Sequence, residues 1–456
     1  MNIQRVLVAN RGEIAVRIVR SLRQQGIESV LAVSAPDRES LGAQLADRSV
    51  CIGPARANES YLQIGTLIEA ARGTGAQAIH PGYGFLSERA EFAQACEDNN
   101  IIFIGPTAEQ IRRVGDKLEA RRIAQEAGVP VTPGGAVESL EEALAMAESI
   151  GFPVLIKAVG GGGGRGLKKA DSAEQLSRLF ELASAEAQAA FGDGRVYIER
   201  FVTRGRHVEV QVLGDGNRVI HLGDRDCSVQ RRYQKLIEEA PAPCLPDTLR
   251  SGLHEAALRF AGHIGYRNAG TVEFLVDVER QAFYFLEMNA RIQVEHPVTE
   301  QVTGIDLIAQ QLHIAQGLPL EIDQDDVQIH GHAIECRINA DDPDNDFRPS
   351  PGVVRAAYFP TGEGLRVDTH IQTGASVPPY YDSMIAKIIA TGKTRDEARR
   401  RLAEAIRNTR IEGIETNLSL HQLVLNTPEF SKGGVDTRFL GCLLAGATDT
   451  AVQAAS

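Results

Sequence analysis

The sequence of 456 residues has no long hydrophobic run and no block of basic residues. None of its apolar runs approaches the roughly 20 residues that a helix needs to cross a bilayer. The apolar run at residues 6–9 is too short for a signal peptide. The formal net charge of −12, without a cluster of Lys or Arg, disfavours nucleic acid as the main partner. We therefore expect a cytoplasmic protein with no membrane and no nucleic-acid partner, in which local basic pockets for phosphate are still possible.

Paired cysteines and a dinucleotide-binding motif are also missing. Six cysteines are scattered without a C-x-x-C pair, at positions 51, 96, 227, 244, 336 and 442. They indicate reduced thiols and neither a disulfide framework nor a zinc site. The turn after the first predicted strand, at residues 9–13, reads A-N-R-G-E. It lacks G-x-G-x-x-G, so NAD binding is disfavoured.

The chain length predicts two to four domains, and the first hundred residues alternate between strand and helix. We predict a helix at 12–23, strands at 5–9 and 29–34, and later strands at 77–80 and 101–105 with helical pattern between them. Such alternation is typical of a parallel sheet covered by helices.

The rest of the chain mixes both element types. We predict a helix at 117–127, ended by Gly128 and Pro130. A compact α+β region follows at 131–205. Further strands are predicted at 208–213 and 218–223, with a hairpin at 270–276 and 282–288. A last domain is predicted from about 335, with a helix at 395–408 and a frayed end at 445–456.

Five consecutive glycines at 160–164, followed by Arg165, come directly after an apolar run at 153–159. Glycine allows positive φ angles and lets backbone N–H groups approach an anion closely. A flexible linker would be longer and rich in Ser. The pattern therefore favours a phosphate-binding loop. Lys157 lies inside the apolar run, and we predict that it reaches the same anion.

Polar and apolar residues alternate strictly between 286 and 295. The odd positions carry Glu287, Asn289, Arg291, Gln293 and Glu295, and the even positions are apolar or aromatic. In one extended strand, side chains of this pattern would lie on opposite sides. A solvent-facing strand would show the same alternation, but it tends to carry Lys, Thr and Ser. The residue types therefore predict one wall of an active site.

Glu273 and Glu287 would lie opposite each other if the hairpin turn centres near residues 279–281. Facing carboxylates repel, and a divalent cation relieves that repulsion. Mg²⁺ prefers carboxylate and amide oxygens together with phosphate and water. Asn289 would supply a third oxygen. The alternative is a pair of solvated glutamates, but the apolar neighbours of both residues favour a metal site.

The segment at 226–235 reads D-C-S-V-Q-R-R-Y-Q-K and is basic within an acidic protein. Taken alone, it is as compatible with a solvated loop as with a binding loop. Cys227 has no base beside it in the sequence, so we predict no nucleophilic role. From the sequence pattern alone, His80, His207 and His296 are predicted to be structural.

A phosphate loop, a basic loop and a two-carboxylate site, in this order, resemble the ATP-grasp fold and, more specifically, the biotin carboxylase family. The matching segments are 9–15, 80–88, 157–166, 225–232, 287–297, 335–339 and 378–384. The resemblance covers residues 5 to about 443. It implies an N-terminal parallel α/β domain (1–114), a central ATP-grasp domain (115–325) with a mobile lid (131–205), and a C-terminal mixed β/α domain (335–445).

The resemblance also implies residue roles. ATP contacts would come from Lys117, Lys157, Gly163, Gly164, His207, Gln230, Tyr233, Glu273, Leu275 and Glu287, with an adenine hinge at Glu199, Arg200 and Val202. Magnesium, or manganese, would be held by Glu273, Glu287 and Asn289. Bicarbonate would be bound by Lys235, Arg291, Gln293 and the backbone of Val294, with Glu295 as the base. Arg337 would stabilise the biotin enolate, with Tyr83 and Asp382 lining or supporting that pocket.

The implied reaction is ATP-dependent carboxylation of biotin with bicarbonate through carboxyphosphate, giving ADP, phosphate and N1-carboxybiotin. The implied partners are a biotin carboxyl carrier protein and a carboxyltransferase, and the implied assembly is a homodimer. Methionine occurs at 1, 146, 288 and 384 and never precedes Lys. The chain therefore lacks the carrier's Ala-Met-Lys-Met motif, and we expect a separate subunit. The final acceptor stays open between acetyl-CoA, propionyl-CoA and pyruvate.

One departure and two alternatives remain. The family usually has His where this chain has Tyr233, which puts the nucleotide contact at that position in doubt.

Another ATP-grasp ligase, such as the ammonia-activating half of carbamoyl-phosphate synthesis, would share the phosphate and metal sites. The row from Arg291 to Glu295 and the Glu335-x-Arg337 pair argue against it. A non-catalytic nucleotide sensor would be favoured by loss of Lys235, Glu295 or Arg337, and all three are present.

Overall fold

The computed structural model describes residues 2–159 and 166–454. The predicted glycine loop, with Gly163, Gly164 and Arg165, lies outside the described residues.

The N-terminal region is a five-stranded parallel sheet in the order β3-β2-β1-β4-β5 with helices packed on it. Its strands are β1 (Arg5–Val8), β2 (Glu28–Ser34), β3 (Arg48–Gly53), β4 (Ala78–His80) and β5 (Ile102–Phe103). Its helices are α1 (Gly12–Gln24), α2 (Leu41–Leu45), α3 (Ile64–Thr74), α4 (Ala90–Asp98) and α5 (Ala108–Gly115). The predicted parallel sheet is confirmed. The edge strand β3 was not predicted; it packs Val50 and Ile52 against the core and exposes three of its six residues.

A helix and a small antiparallel sheet follow. The elements are α6 (Lys117–Glu126), β6 (Gly134–Val137), α7 (Leu140–Ile150), β7 (Val154–Ala158), β8 (Leu167–Ala170), α8 (Ala173–Phe191) and β9 (Val196–Arg200). The α6 helix begins at an Asp116 cap, which accepts hydrogen bonds from the N–H groups of Leu118 and Glu119 at 2.9 Å. It ends at Glu126, one residue before the predicted end, and Gly128 follows with a φ of +68°. The strands pair in the order β6-β9-β7-β8 over their own apolar core.

An eight-stranded sheet in the order β14-β13-β10-β11-β12-β15-β22-β20 forms the centre of the molecule. Its first part comprises β10 (Gly205–Asp215), β11 (Val219–Arg231), β12 (Gln234–Ala240), α9 (Asp247–His263), β13 (Arg267–Asp277), β14 (Ala282–Asn289), α10 (His296–Thr303) and α11 (Leu307–Ala315). The segment at 226–235 is therefore a strand hairpin, so its interpretation as a solvated loop is wrong. Its turn residues, Arg232 and Tyr233, have φ angles of +48° and +67°.

The C-terminal elements extend this sheet. They are β15 (His332–Asn339), β16 (Asp341–Asp342), β17 (Arg348–Pro349), β18 (Gly352–Val353), β19 (Ala356–Tyr358), β20 (Leu365–Thr369), β21 (Ser376–Val377), β22 (Met384–Gly392), α12 (Arg395–Asn408), β23 (Arg410–Glu412), α13 (Leu418–Leu425), α14 (Pro428–Lys432) and α15 (Phe439–Ala454). Since β15 pairs with β12, the last domain shares its sheet with the preceding one. The α15 helix continues through much of the segment predicted to be frayed. Among the described helices, none combines the length and apolar character needed to cross a membrane.

Candidate active site

The β13–β14 hairpin sets Glu273 opposite Glu287, as the sequence predicts. Near the turn, Phe274 pairs with Phe285, and one extra residue, Leu286, shifts the register before Glu273 pairs with Glu287. This bulge keeps both carboxyl side chains at one position along the ladder. The acidic pair therefore depends on a local irregularity of β14.

The prediction of one extended wall from 286 to 295 is wrong beyond residue 289. The β14 strand ends at Asn289, residues 290–295 form bends and a turn, and α10 begins at His296. Pro297 sits in the first turn of that helix, where its fixed φ is favourable. The polar side chains still converge, because the turn folds back towards Glu273.

Glu273 is the centre of the converging group. Its Oε1 accepts hydrogen bonds from Lys235 at 2.9 Å, Asn289 at 2.8 Å and Gln293 at 2.9 Å. His207 Nε2 lies 2.8 Å from its Oε2. Burial alone would raise the pKa of Glu273, but Lys235 and His207 outweigh it and lower this pKa far below its ordinary value. Glu273 is therefore a fixed negative charge.

Lys235 contacts three carboxylates at once. Its Nζ donates to Glu209 at 2.6 Å, to Glu273 at 2.9 Å and to Glu295 at 2.8 Å. Burial lowers the pKa of a lysine, but these three carboxylates raise that of Lys235 well above its ordinary value. The ammonium group therefore joins the acidic pair of the hairpin to Glu295.

Glu295 is completely buried and is shared by two cations. Its Oε1 accepts from Lys235, and its Oε2 accepts from Arg337 Nη2 at 2.9 Å. Burial would raise the pKa of Glu295, but Lys235 and Arg337 hold it well below its ordinary value. Arg337 also donates from Nε to Glu238 at 2.6 Å. Burial raises the pKa of Glu238 to about 7.

Arg291 is fixed by three neighbours. Its Nε donates to Glu88 at 2.8 Å, its Nη2 to Asn289 Oδ1 at 2.8 Å, and its Nη1 to Gln293 Oε1 at 2.5 Å. Val294, the next predicted bicarbonate residue, presents its carbonyl to Lys387 Nζ at 2.7 Å. The predicted bicarbonate residues therefore lie together beside Glu273 and Glu295.

The predicted nucleotide residues form a second cluster next to the first. Lys157 Nζ lies 2.6 Å from Glu199 Oε2, and Lys117 Nζ lies 3.9 Å from Glu287 Oε2. Gln230 Nε2 lies 2.8 Å from His207 Nδ1. His207 therefore lies between Gln230 and Glu273. The sequence could not show this, because its partners lie on other strands.

Other predicted nucleotide residues lie less centrally. Leu275 is opposite His207 in the β10–β13 ladder, and Val202 is buried. Arg200 donates to the carbonyl of Ile150 at 3.0 Å, which places its guanidinium at the end of α7. Tyr233 is 61% exposed in its hairpin turn. The guanidinium of Arg200 and the ring of Tyr233 therefore lie outside the cluster.

Comparisons with known proteins cover nearly the whole chain. The biotin carboxylase N-terminal domain family matches residues 2–111, the ATP-binding domain of the carbamoyl-phosphate synthase L chain matches 116–323, and the biotin carboxylase C-terminal domain matches 335–441. The chain is 52% identical over 444 residues to the biotin carboxylase of a Nostoc species, covering 96% of this chain and 99% of that protein. The chain belongs to the biotin carboxylase family.

Solved structures of biotin carboxylases have the same fold. A complex of the Campylobacter jejuni enzyme with a β-γ-ATP ligand has a TM-score of 0.93 at 45% identity, covering 96% of this chain and 99% of that one. The biotin carboxylase domain dimer of Hydrogenobacter thermophilus 2-oxoglutarate carboxylase, with MgADP, ADP and bicarbonate, has a TM-score of 0.92 at 42% identity, covering 97% and 98%. The predicted ATP-grasp fold and ligase class are thereby confirmed.

In this chain, the donors at the hairpin fit a hard divalent cation. Partial burial and the neighbouring Glu273 raise the pKa of Glu287. A cation beside both carboxylates would relieve that repulsion. Asn289 lies next to them; its amide nitrogen donates to Glu273 and its Oδ1 accepts from Arg291, so the amide would have to turn over to offer its oxygen to a cation. Carboxylate and amide oxygens are the donors that Mg²⁺ prefers.

Sequence reasoning gave no role to several members of the site. Glu209 binds Lys235 and also accepts from the fully buried Arg225 at 2.5 Å, and Arg225 donates to Thr299 at 2.9 Å. Glu88 holds Arg291. The available signal was a charged residue inside an otherwise apolar buried strand, as at Glu209. Arg225 and Glu88 lie in the segments 225–232 and 80–88, which match the family, and this position was the signal that they belong to the site.

Acid should destabilise the folded chain partly through Glu295. Its pKa is lowered by folding, so it contributes stability above the unfolded pKa of about 4.3 and loses it as pH falls towards the folded value. Glu295→Gln removes this titration. We expect its melting temperature to drop less between about pH 6 and about pH 3.5 than that of the unsubstituted chain, by about 1 °C. Calorimetry on both proteins, with exposed Glu404→Gln as the control, checks this, and equal slopes would contradict it.

Proposed function

We propose that this chain uses ATP to carboxylate biotin with bicarbonate, with biotin presented on a separate carrier protein, in the first half-reaction of a biotin-dependent carboxylase. One observation supports this above the others: Lys235 joins the acidic pair of the hairpin to Glu295, and Glu295 contacts Arg337. A nucleotide site, a bicarbonate base and a biotin-facing cation are thus in contact. The formation of carboxyphosphate and the carboxylation of biotin can therefore both take place at this group of residues.

In the first step, a bicarbonate oxygen attacks the γ-phosphorus of ATP, ADP leaves, and carboxyphosphate forms. Catalysis of such a transfer is mainly positioning and charge neutralisation. We assign bicarbonate binding to Lys235, Arg291, Gln293 and the backbone of Val294. Glu295, ionised because of its lowered pKa, takes the bicarbonate proton.

The nucleotide and metal sites serve this step. We assign nucleotide binding to Lys117, Lys157, Glu199, Val202, His207, Gln230 and Leu275, together with Gly163 and Gly164 outside the described residues. We assign Arg200 and Tyr233 to the rim of the nucleotide site. Glu273, Glu287 and Asn289 would hold Mg²⁺, or Mn²⁺, which would neutralise charge on the phosphates. The small sheet at 131–205 is proposed as a lid, because water would hydrolyse carboxyphosphate.

In the second step, carboxyphosphate breaks down to CO₂ and phosphate, the phosphate takes the N1 proton of biotin, and CO₂ adds at N1. Arg337 is placed to hold the negative charge that develops on the biotin oxygen. Its guanidinium already balances two carboxylates, Glu238 and Glu295. Tyr83 is assigned to the wall of this pocket, with Asp382 as its support.

We also propose three domains, with the limits 1–114, 115–325 and 335–445.

We further propose that the chain forms a homodimer and works with one partner that carries biotin and another that transfers the carboxyl group. The dimer of the Hydrogenobacter thermophilus domain supports the homodimer. The acceptor remains open between acetyl-CoA, propionyl-CoA and pyruvate, since acceptor choice resides in the carboxyltransferase.

Free biotin should stimulate bicarbonate-dependent ATP hydrolysis by this chain, at least about tenfold. The reason is that biotin consumes CO₂ at the site and draws carboxyphosphate forward. ADP release and fixation of labelled bicarbonate into biotin are measured with the purified protein. Ammonia, offered in place of biotin, should have no effect. Stimulation by ammonia alone would indicate the carbamoyl-phosphate type of ATP-grasp ligase, and the proposal would be wrong.

A further inference from the structure

Lys387, on β22, is a fully buried lysine to which the mechanism above gives no role. The exposed fraction of its side chain is 0%. Burying an ammonium group is costly unless it is paired and hydrogen-bonded. Across the β15–β22 ladder, Lys387 is the direct partner of Arg337, a second cation. Like charges in directly opposite positions destabilise a sheet. Stability alone therefore does not account for a lysine at this position.

Its two contacts join opposite sides of the site. Lys387 Nζ donates to the carbonyl of Val294 at 2.7 Å and lies 3.2 Å from Glu13 Oε1. Val294 directly precedes Glu295, the proposed base. Glu13 belongs to the first turn of α1, and its Oε1 also accepts a hydrogen bond from the hydroxyl of Tyr83. Lys387 thus connects the bicarbonate turn with the Tyr83 side of the biotin pocket.

The environment of Glu13 makes its charge depend on Lys387. Glu13 is buried, and its Oε2 has no hydrogen-bond partner among the described residues. Burial raises the pKa of Glu13 above its ordinary value, and Lys387 offsets part of that rise. Without Lys387, the carboxyl group would favour its neutral form, and its hold on Tyr83 would change.

We propose that Lys387 is a positioning residue that, through Val294 and Glu13, holds the bicarbonate turn and Tyr83 in register, so that CO₂ released at Glu295 reaches biotin before it is lost. The proposal rests on the function proposed above. A displacement of about 1 Å at a reacting centre can lower a rate about 100-fold. Loss of a residue that connects the bicarbonate turn with the biotin pocket should therefore change the rate of carboxylation measurably.

The test is the ratio of ATP hydrolysed to carboxybiotin formed, measured with free biotin and labelled bicarbonate. Lys387→Met keeps the apolar stem and removes the ammonium group. We expect this ratio to rise about tenfold. A merely structural loss would lower both rates together and leave the ratio unchanged. Lys393→Met, an exposed lysine just after β22, is the control and should leave the ratio at its original value.

A second variant keeps the proposal testable if Lys387→Met does not fold. Glu13→Gln preserves shape and hydrogen-bonding capacity but removes the charge, and we expect its ratio to rise about threefold. The double variant should match Lys387→Met alone, because both residues act along one connection. An unchanged ratio in the variants that fold would overturn the inference. If the unsubstituted chain shows no biotin-stimulated hydrolysis, the proposed function fails instead.

Discussion

Glu295→Gln is expected to lower the kcat of bicarbonate-dependent ATP hydrolysis by about 10²- to 10⁴-fold, the usual contribution of a general base. Glutamine has nearly the same shape, and its single amide oxygen can still accept from either Lys235 or Arg337, which bind different oxygens of Glu295. It cannot take up a proton. Because Lys235 and Arg337 keep the pKa of Glu295 low, the native residue is ionised at neutral pH, and the substitution removes a charge that is always present.

The control for this result is a second buried glutamate held by cationic partners. Glu239 accepts from Arg395 at 2.6 Å and lies 2.8 Å from His332 Nε2. Glu239→Gln loses a similar buried ion pair at a position outside the proposed site. Steady-state ADP release, with and without bicarbonate, should separate the two variants by at least about 100-fold. A Glu295→Gln enzyme within about threefold of the unsubstituted rate would show that Glu295 is not the base.

The sequence predicts the local parts of this site well. The acid pair is visible within a short window, and the parallel N-terminal sheet follows from its alternating elements. The five glycines lie outside the described residues, and the polar row is a strand only up to Asn289. The facing of Glu273 and Glu287 is also predicted from the position of the hairpin turn. That prediction holds because of the bulge at Leu286, which no propensity rule locates.

The long-range contacts could not be predicted in the same way. Arg291 is paired with Glu88, 203 residues earlier, and Arg337 meets Glu295 because β15 joins the sheet beside β12. Periodicity shows which side of a strand is apolar, but it does not name the neighbouring strand. The error at residue 290 has the same origin. Alternation of polar and apolar residues in a turn looks the same as alternation in a strand.

Arg337→Met should separate the two half-steps of the reaction. We expect carboxybiotin formation to fall by at least about 100-fold, because developing negative charge on the biotin oxygen loses its cation. Bicarbonate-dependent ATP hydrolysis without biotin should stay within about fivefold, since Lys235 and Arg291 remain. Methionine keeps the apolar stem of the side chain and removes the guanidinium from Glu238 and Glu295.

The matched control is Arg395→Met, which removes another arginine paired with a buried glutamate, Glu239, from the same C-terminal region. Labelled bicarbonate fixed into free biotin and ADP released in its absence are measured for both variants. A parallel fall of both activities in Arg337→Met would assign Arg337 to holding Glu295 in place. Loss of carboxylation alone would place the guanidinium on biotin, because the bicarbonate step would then have been shown to run without it.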